Sequence, residues 1–379
     1  MVWYPSILSF IAGTLAYLVD PELAQHKFYL ISVILIVFWS LTFLGLSGLR
    51  ASASFASFCA IVGMIIPMGF IILLAIIWLF KENPLAIDLS LNSLIPHWKD
   101  TQSWISLTAI MTSFLGMELA AVHVRNVHNP QRNFPKAMLI SVILILTTMI
   151  LGSLSIAIVL PQKKISLVHG VMQAFTNFFQ TYHLTALRPI MVILILLGSV
   201  GSMINWIISP AKGLLLAADN GFLPHWLYRL NRHGIASRIL LLQAILVTLL
   251  CSGFLLLPSV NAIYWLFTAL STELYILMYV LMFLAAIHLK HKFKTMPRPF
   301  AIPGGRFGYY CTCLLGLSGC FITLIIGFFP PEQSMEIGGA NHFRMIFSGG
   351  IILMLMPAFL LLLRKRRLDR AHASNPQRY

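Results

Sequence analysis

Long unbroken apolar runs constrain this chain more than any other feature. Stretches of about 17 to 25 apolar residues, the length that crosses a ~30 Å hydrocarbon layer as a helix, recur along its whole length. They fall at 1–19, 29–48, 55–80, 103–122, 137–160, 187–217, 237–257, 261–287, 308–329 and 344–363, about ten in all. Lipid offers no hydrogen-bond partner to the backbone, so a spanning segment is either helical or part of a closed barrel. Barrel strands alternate in polarity, and runs such as 140–151 and 351–363 do not. Charged residues make up 10% of the chain against roughly 25% in soluble domains, which excludes a water-soluble fold. The expected class is all-α, a polytopic membrane helix bundle of about ten transmembrane helices. The stretch 167–182 is interrupted by Gln173, Thr176 and Asn177 and reads as a helix outside the bilayer core or at its surface.

The charge balance follows from the same division. Lys and Arg total 26 against 11 Asp and Glu, a formal +15 that in a soluble protein would suggest a nucleic-acid partner. Here the cations lie between the apolar runs. With loops alternating across the bilayer, eighteen fall on one side and seven on the other, and Lys212 lies within a span. The cation-rich side is the cytoplasmic one under the positive-inside rule, which puts both termini in the cytoplasm and removes the case for nucleic acid. The first run has no cationic head or small-residue cleavage site and reads as a retained span. Cys59, Cys251, Cys311, Cys313 and Cys320 lie in or at the edge of apolar runs with no metal-ligand spacing, so neither a metal nor a cofactor is expected. No cluster of carboxylates, histidines and nucleophiles shares a bilayer depth, so an enzyme is not expected.

Function is then sought in polar groups that lipid penalises, since an ionisable side chain inside a span costs at least ~2.5 kcal/mol on insertion scales. Only Glu118 and Glu273 qualify among the acids. Glu118 follows Ser113-Phe114-Leu115-Gly116-Met117 near the middle of its span. Glycine there weakens the helix by ~1 kcal/mol relative to alanine. A helix broken at the midplane exposes N–H and C=O ends that hold a substrate carboxylate or amine. The plainer alternative is a hydrogen-bonded structural acid beside a packing glycine. Glu273, in Leu270-Ser271-Thr272-Glu273, is either a satisfied structural acid or a participant in proton coupling. In the segment 197–221, Gly198, Ser199, Gly201 and Ser202 are spaced for close helix contact. Trp206, by residue type, is core, interface anchor or gate.

Four runs carry a family resemblance: 113–118 with Asn129-Pro-Gln-Arg-Asn-Phe-Pro135, Trp206 to Pro224 ending Ala-Asp-Asn-Gly-Phe-Leu-Pro, Arg298-Pro-Phe-Ala-Ile-Pro-Gly-Gly305, and Phe329-Pro-Pro-Glu332. Together, in this order, they resemble the amino acid, polyamine and organocation transporter superfamily, and within it the bacterial glutamate/GABA antiporters of acid resistance. The resemblance implies a five-plus-five inverted-repeat transporter fold followed by two C-terminal helices, in one transmembrane domain over 1–363. Residues 1–80 are then a partial first repeat, 103–288 the second and 308–363 the accessory pair, with 364–379 a basic cytoplasmic tail. Twelve spans are implied and about ten are present. Met1 falls where the third helix begins, so the chain reads as an N-terminally truncated carrier lacking the first two helices. A non-transporting remnant or partner subunit is the alternative. The resemblance makes the substrate an amino acid exchanged with proton-linked activity. It assigns Gly116 to an unwound stretch beside Ser113, Phe114 to a gating aromatic and Trp206 to a tryptophan that closes over substrate. Ser202 stands one turn before Trp206 in the substrate region, and Glu118 falls where the family carries an acid linked to pH response; Glu273 joins it as a candidate for proton coupling or pH sensing on its place in a span alone.

Overall fold

The computed structural model describes residues 2–47, 53–88, 90, 101–219, 221–228, 230–256, 259–294, 300–329 and 339–374. Arg298 and Pro299 of one family motif, residues 330–332 of another, and 375–379 of the expected tail lie outside them. Thirteen α-helices are described, and no strand is present among the described residues. They are α1 (Tyr4–Ala16), α2 (Lys27–Leu46), α3 (Ala53–Ala60), α4 (Ile66–Phe80), α5 (Thr101–Ser113), α6 (Pro130–Ala157) and α7 (Gly170–Thr181). They continue as α8 (Arg188–Asp219), α9 (Ser237–Cys251), α10 (Gly253–Leu256), α11 (Val260–Lys292), α12 (Gly305–Ile326) and α13 (Ala340–Ser374).

Nine segments among the described residues are long and apolar enough to cross a bilayer, against about ten expected. The difference is the first run. There α1 has only 13 residues, which at 1.5 Å per residue reaches about 20 Å. It ends where Tyr17, Leu18 and Val19 turn back on Thr14, Leu15 and Ala16, just before Asp20 and Pro21. At the other end α13 runs on through the basic stretch to Ser374, with Lys365 bonded to Asp369 at 3.0 Å, so the first part of the expected tail is helical.

The chain forms two compact units that interleave along the sequence. Unit 1 comprises 1–87, 152–267 and 349–379, and unit 2 comprises 88–151 and 268–348. Within unit 1, the run expected as one continuous helix over 55–80 contains a π-helical turn, Ile61–Ile65, between α3 and α4. Pro67 has no N–H to give the Gly63 carbonyl, and the Ile66 N–H reaches back five residues to Ile61. That turn packs on α8 with Gly63 against Gly198, backbone to backbone. A side chain at either position would overlap the other helix, which is why two glycines meet there. The amphipathic α7 turns Met172, Phe175, Phe178 and Phe179 onto Tyr17, Ile71, Trp78, Val192 and Ile195. The helix expected outside the bilayer core is thus docked on protein.

Unit 2 is built from α5, the 3-10 segment Met117–Asn126, most of α6, the later part of α11, α12 and the start of α13. Contacts join α12 to α5. In the glycine-rich family motif, Gly304 and Gly305 take φ values of 85° and 63°, a left-handed turn that launches α12. Along α6 only Gly152 and Ser155 are buried, while Leu139, Ile140 and Ile143 are more than half exposed. A helix so apolar on its outer surface needs lipid around it.

Candidate functional site

Within unit 2 the fourth apolar run is broken. Helix α5 ends at Ser113, the N–H groups of Phe114 and Leu115 reach back three residues to Met111 and Thr112, and Gly116 adopts φ 92°. A 3-10 helix, Met117–Asn126, continues from there. Glycine enters the left-handed region without the steric penalty other residues meet, so the stop at Gly116 is written in its residue type. The expected unwound stretch is therefore present at Gly116.

Glu118 folds back on this turn. Its Oε2 accepts the Gly116 N–H at 3.1 Å and a short hydrogen bond from the Tyr279 hydroxyl on α11. Its Oε1 is buried with no hydrogen-bond partner among the described residues. Both bonds fall on one carboxyl oxygen, whose two lone pairs suffice for them. Beside it, the hydroxyls of Thr112 and Thr272 meet at 2.6 Å and tie α5 to α11. Ser113 is exposed and its hydroxyl bonds back to the Ala109 carbonyl at 3.2 Å, while Phe114 is half-buried.

Glu273, one residue after Thr272, is wholly buried, and neither of its oxygens has a hydrogen-bond partner among the described residues. Its carboxyl faces Gly327 just beyond α12, where a Cβ would overlap Oε1. The expectation of a satisfied structural acid thus fails on its polar atoms, because buried carboxyl groups are normally hydrogen-bonded.

Ser202 and Trp206 belong to unit 1. The Ser202 hydroxyl bonds to the Ser199 carbonyl at 2.9 Å, and the residue lines an apolar cavity of about 350 Å³ with Gly63, Met68, Phe175 and Gly198. Trp206 is half-buried; its ring lies 4.7 Å from Trp3, and its carbonyl accepts the Tyr4 hydroxyl at 2.6 Å. That hydroxyl in turn accepts Gln243 Nε2 at 3.0 Å. The expected residues thus divide between the units, with Ser113, Phe114, Gly116, Glu118 and Glu273 in unit 2. No group of three His, Cys, Asp or Glu side chains suited to a metal occurs among the described residues.

Sequence reasoning missed Tyr4, Gln243 and Tyr279. A usable signal existed for Tyr279, since a lone acid in a span implies a hydrogen-bonding partner in another span.

Comparison with known proteins decides the family, because the model of the amino acid permease family matches residues 1–357. The chain belongs to the amino acid permease family. This permease is 38% identical over 360 residues to an uncharacterized transporter of Legionella pneumophila, covering 95% of the chain and 77% of that protein. It is 28% identical over 371 residues to a glutamate/gamma-aminobutyrate antiporter of Lactococcus lactis, covering 97% of the chain and 74% of the relative. A probable agmatine/putrescine antiporter of the same species is 27% identical over 216 residues, 57% of the chain and 46% of the relative. The permease is therefore a multi-pass membrane transporter for small molecules, and its helical architecture is that of a polytopic permease bundle.

Proposed function

We propose that the permease is a secondary amino acid antiporter that exchanges glutamate for GABA with proton-linked activity, serving acid resistance at a bacterial inner membrane. The observation that carries this reading is the break at Gly116 with Glu118 bound to it. Peptide groups released at such a break bind the charged ends of a zwitterion without a charged side chain. Glu118 links that turn to the proton. Ionised, its Oε2 accepts from both the Gly116 N–H and the Tyr279 hydroxyl; a proton taken up on Oε1 removes the charge that strengthens both bonds and so loosens the turn. Glu273 is a second place where a proton is held. Ser113 and Ser202 contribute to the substrate region, and Phe114 and Trp206 act as aromatic gates. Residues 1–80 and 103–288 are read as the two repeats, and both termini as cytoplasmic. The relatives named as glutamate/gamma-aminobutyrate antiporters support the substrate pair.

The test is exchange in proteoliposomes. Labelled glutamate should enter vesicles loaded with GABA and not empty ones, and the rate should change several-fold between about pH 5.5 and 7.5. Glu118→Gln, which keeps shape and loses the titrating group, should flatten that profile. Entry without a counter-substrate would overturn antiport, and an unaltered profile would remove Glu118 from proton coupling.

A further inference from the structure

Residues 274–331 contain no Asp or Glu, and where α11 ends and α12 begins this stretch places Lys290, Lys292, Lys294 and Arg306. None of these belongs to the transport reading above, and none has an acidic partner among the described residues. The cations in the last turn of α11 complement the negative end of its dipole. Arg306 has no such account, since it stands in the first turn of α12, the positive end, where no acid accompanies it. Tertiary contacts bring Lys290 to the same place. Tyr309 and Tyr310 follow Arg306 by three and four residues and so lie one turn along from it on the same side of the helix. The Tyr309 hydroxyl donates to the Ala286 carbonyl at 2.7 Å, and Lys290 Nζ lies over the Tyr309 ring, 5.1 Å from its centre. The Tyr310 hydroxyl meets His291 Nε2 at 3.1 Å. The two tyrosines thus fix the start of α12 to the end of α11, and Lys290 is held one turn from the exposed Arg306.

What adjoins these cations is apolar. Phe307, next to Arg306, is 83% exposed, and Leu314, Leu315, Phe321, Ile322 and Ile325 follow it at helical spacing as an exposed stripe along one face of α12. A soluble acidic partner matches the cations and leaves the stripe uncovered. A phospholipid carries its phosphate joined to acyl chains, so it matches the charge at the helix start and the apolar face that continues from it. Cations at a membrane surface favour lipids of net negative charge over zwitterionic ones, by about 1 kcal/mol per Lys or Arg, or about fivefold.

We infer that unit 2 binds an anionic phospholipid at the start of α12, with the lipid phosphate against Lys290 and Arg306 and an acyl chain along the stripe that begins at Phe307. Cys311 lies in that stripe one turn after Phe307 and is exposed, whereas the other four cysteines are buried, so a fluorophore attached to it in the full-length chain reports the neighbouring lipid without any transport assay. In vesicles of phosphatidylcholine with brominated chains, which quench the label, unbrominated phosphatidylglycerol should relieve quenching about tenfold more effectively than unbrominated phosphatidylcholine. Lys290→Gln and Arg306→Gln should each reduce that preference several-fold, the double variant should abolish it, and Arg306→Lys should keep most of it. Arg366→Gln on α13 removes the same charge elsewhere and should leave it unchanged. Glycerol 1-phosphate, the head group without chains, should not displace the quencher. Equal relief by the two lipids in the unaltered chain, an undiminished preference in the double variant, or an equal loss in Arg366→Gln would overturn the site. Displacement by glycerol 1-phosphate would overturn it too, in favour of a soluble phosphate.

Discussion

At the scale of single residues, two buried ionisable groups make opposite demands. Glu273 has no hydrogen-bond partner among the described residues, and a Cβ at Gly327 would overlap its Oε1. Gly327→Ala should therefore lower stability by about 1–3 kcal/mol through overpacking. Combining it with Glu273→Ala should recover part of that loss, a coupling that thermal melting of the four chains in detergent reads directly. Strictly additive losses would mean the two side chains do not compete for the same space. For His169, burial pushes the imidazole pKa down from its ordinary value. A group depressed in the folded state contributes stability that is full above its unfolded pKa of about 6.5 and is lost as acid protonates it. The Tyr17 ring packs against it at 5.8 Å and the Ser166 hydroxyl meets its Nδ1 at 3.1 Å. Melting temperature should accordingly fall from neutral to mildly acidic pH, and fall less in His169→Gln. An identical pH slope in the variant would assign the acid sensitivity to other groups.

At the scale of elements, close packing depends on residues that are absent as side chains. The π-helical turn at Ile61–Ile65 brings Gly63 onto Gly198 of α8, and neither backbone leaves room for a methyl group. Lipid is as apolar as leucine, so helices gain little from burying apolar surface against one another and depend on such close approach. Gly63→Ala should cost about 1–3 kcal/mol and shift the melting transition down, whereas the same change at Gly69, which has open space around it, should cost far less. Equal melting of the two variants would show that α3, α4 and α8 separate freely. The α5 break obeys a different rule. It needs the left-handed φ of Gly116, and Glu118 then closes the turn from two residues away.

At the scale of the whole molecule, the cation asymmetry sets an orientation. Lys164 belongs to the side with seven cations and Arg306 to the side with eighteen. In a chain without native cysteines, Lys164→Cys should react with an impermeant maleimide on intact cells, and Arg306→Cys only after the membrane is opened. The reverse pattern would invert the proposed topology. Much of this architecture was legible in the sequence, because helix formation in lipid depends on local quantities: the length of an apolar run, the hydrogen bonds it makes within itself, and a glycine where the run stops. Those local quantities by themselves determined an all-helical membrane protein, a run interrupted at Gly116, and two lone acids inside spans. They did not reach the π-helical turn, the shortness of α1, or the partners of the buried polar groups. The Tyr279 hydroxyl meets Glu118 across 161 positions of sequence, and Asn261 reaches Ser166 across 95. Only the tertiary structure decided such pairings, since packing brings the partners together and no spacing along the chain encodes their distance.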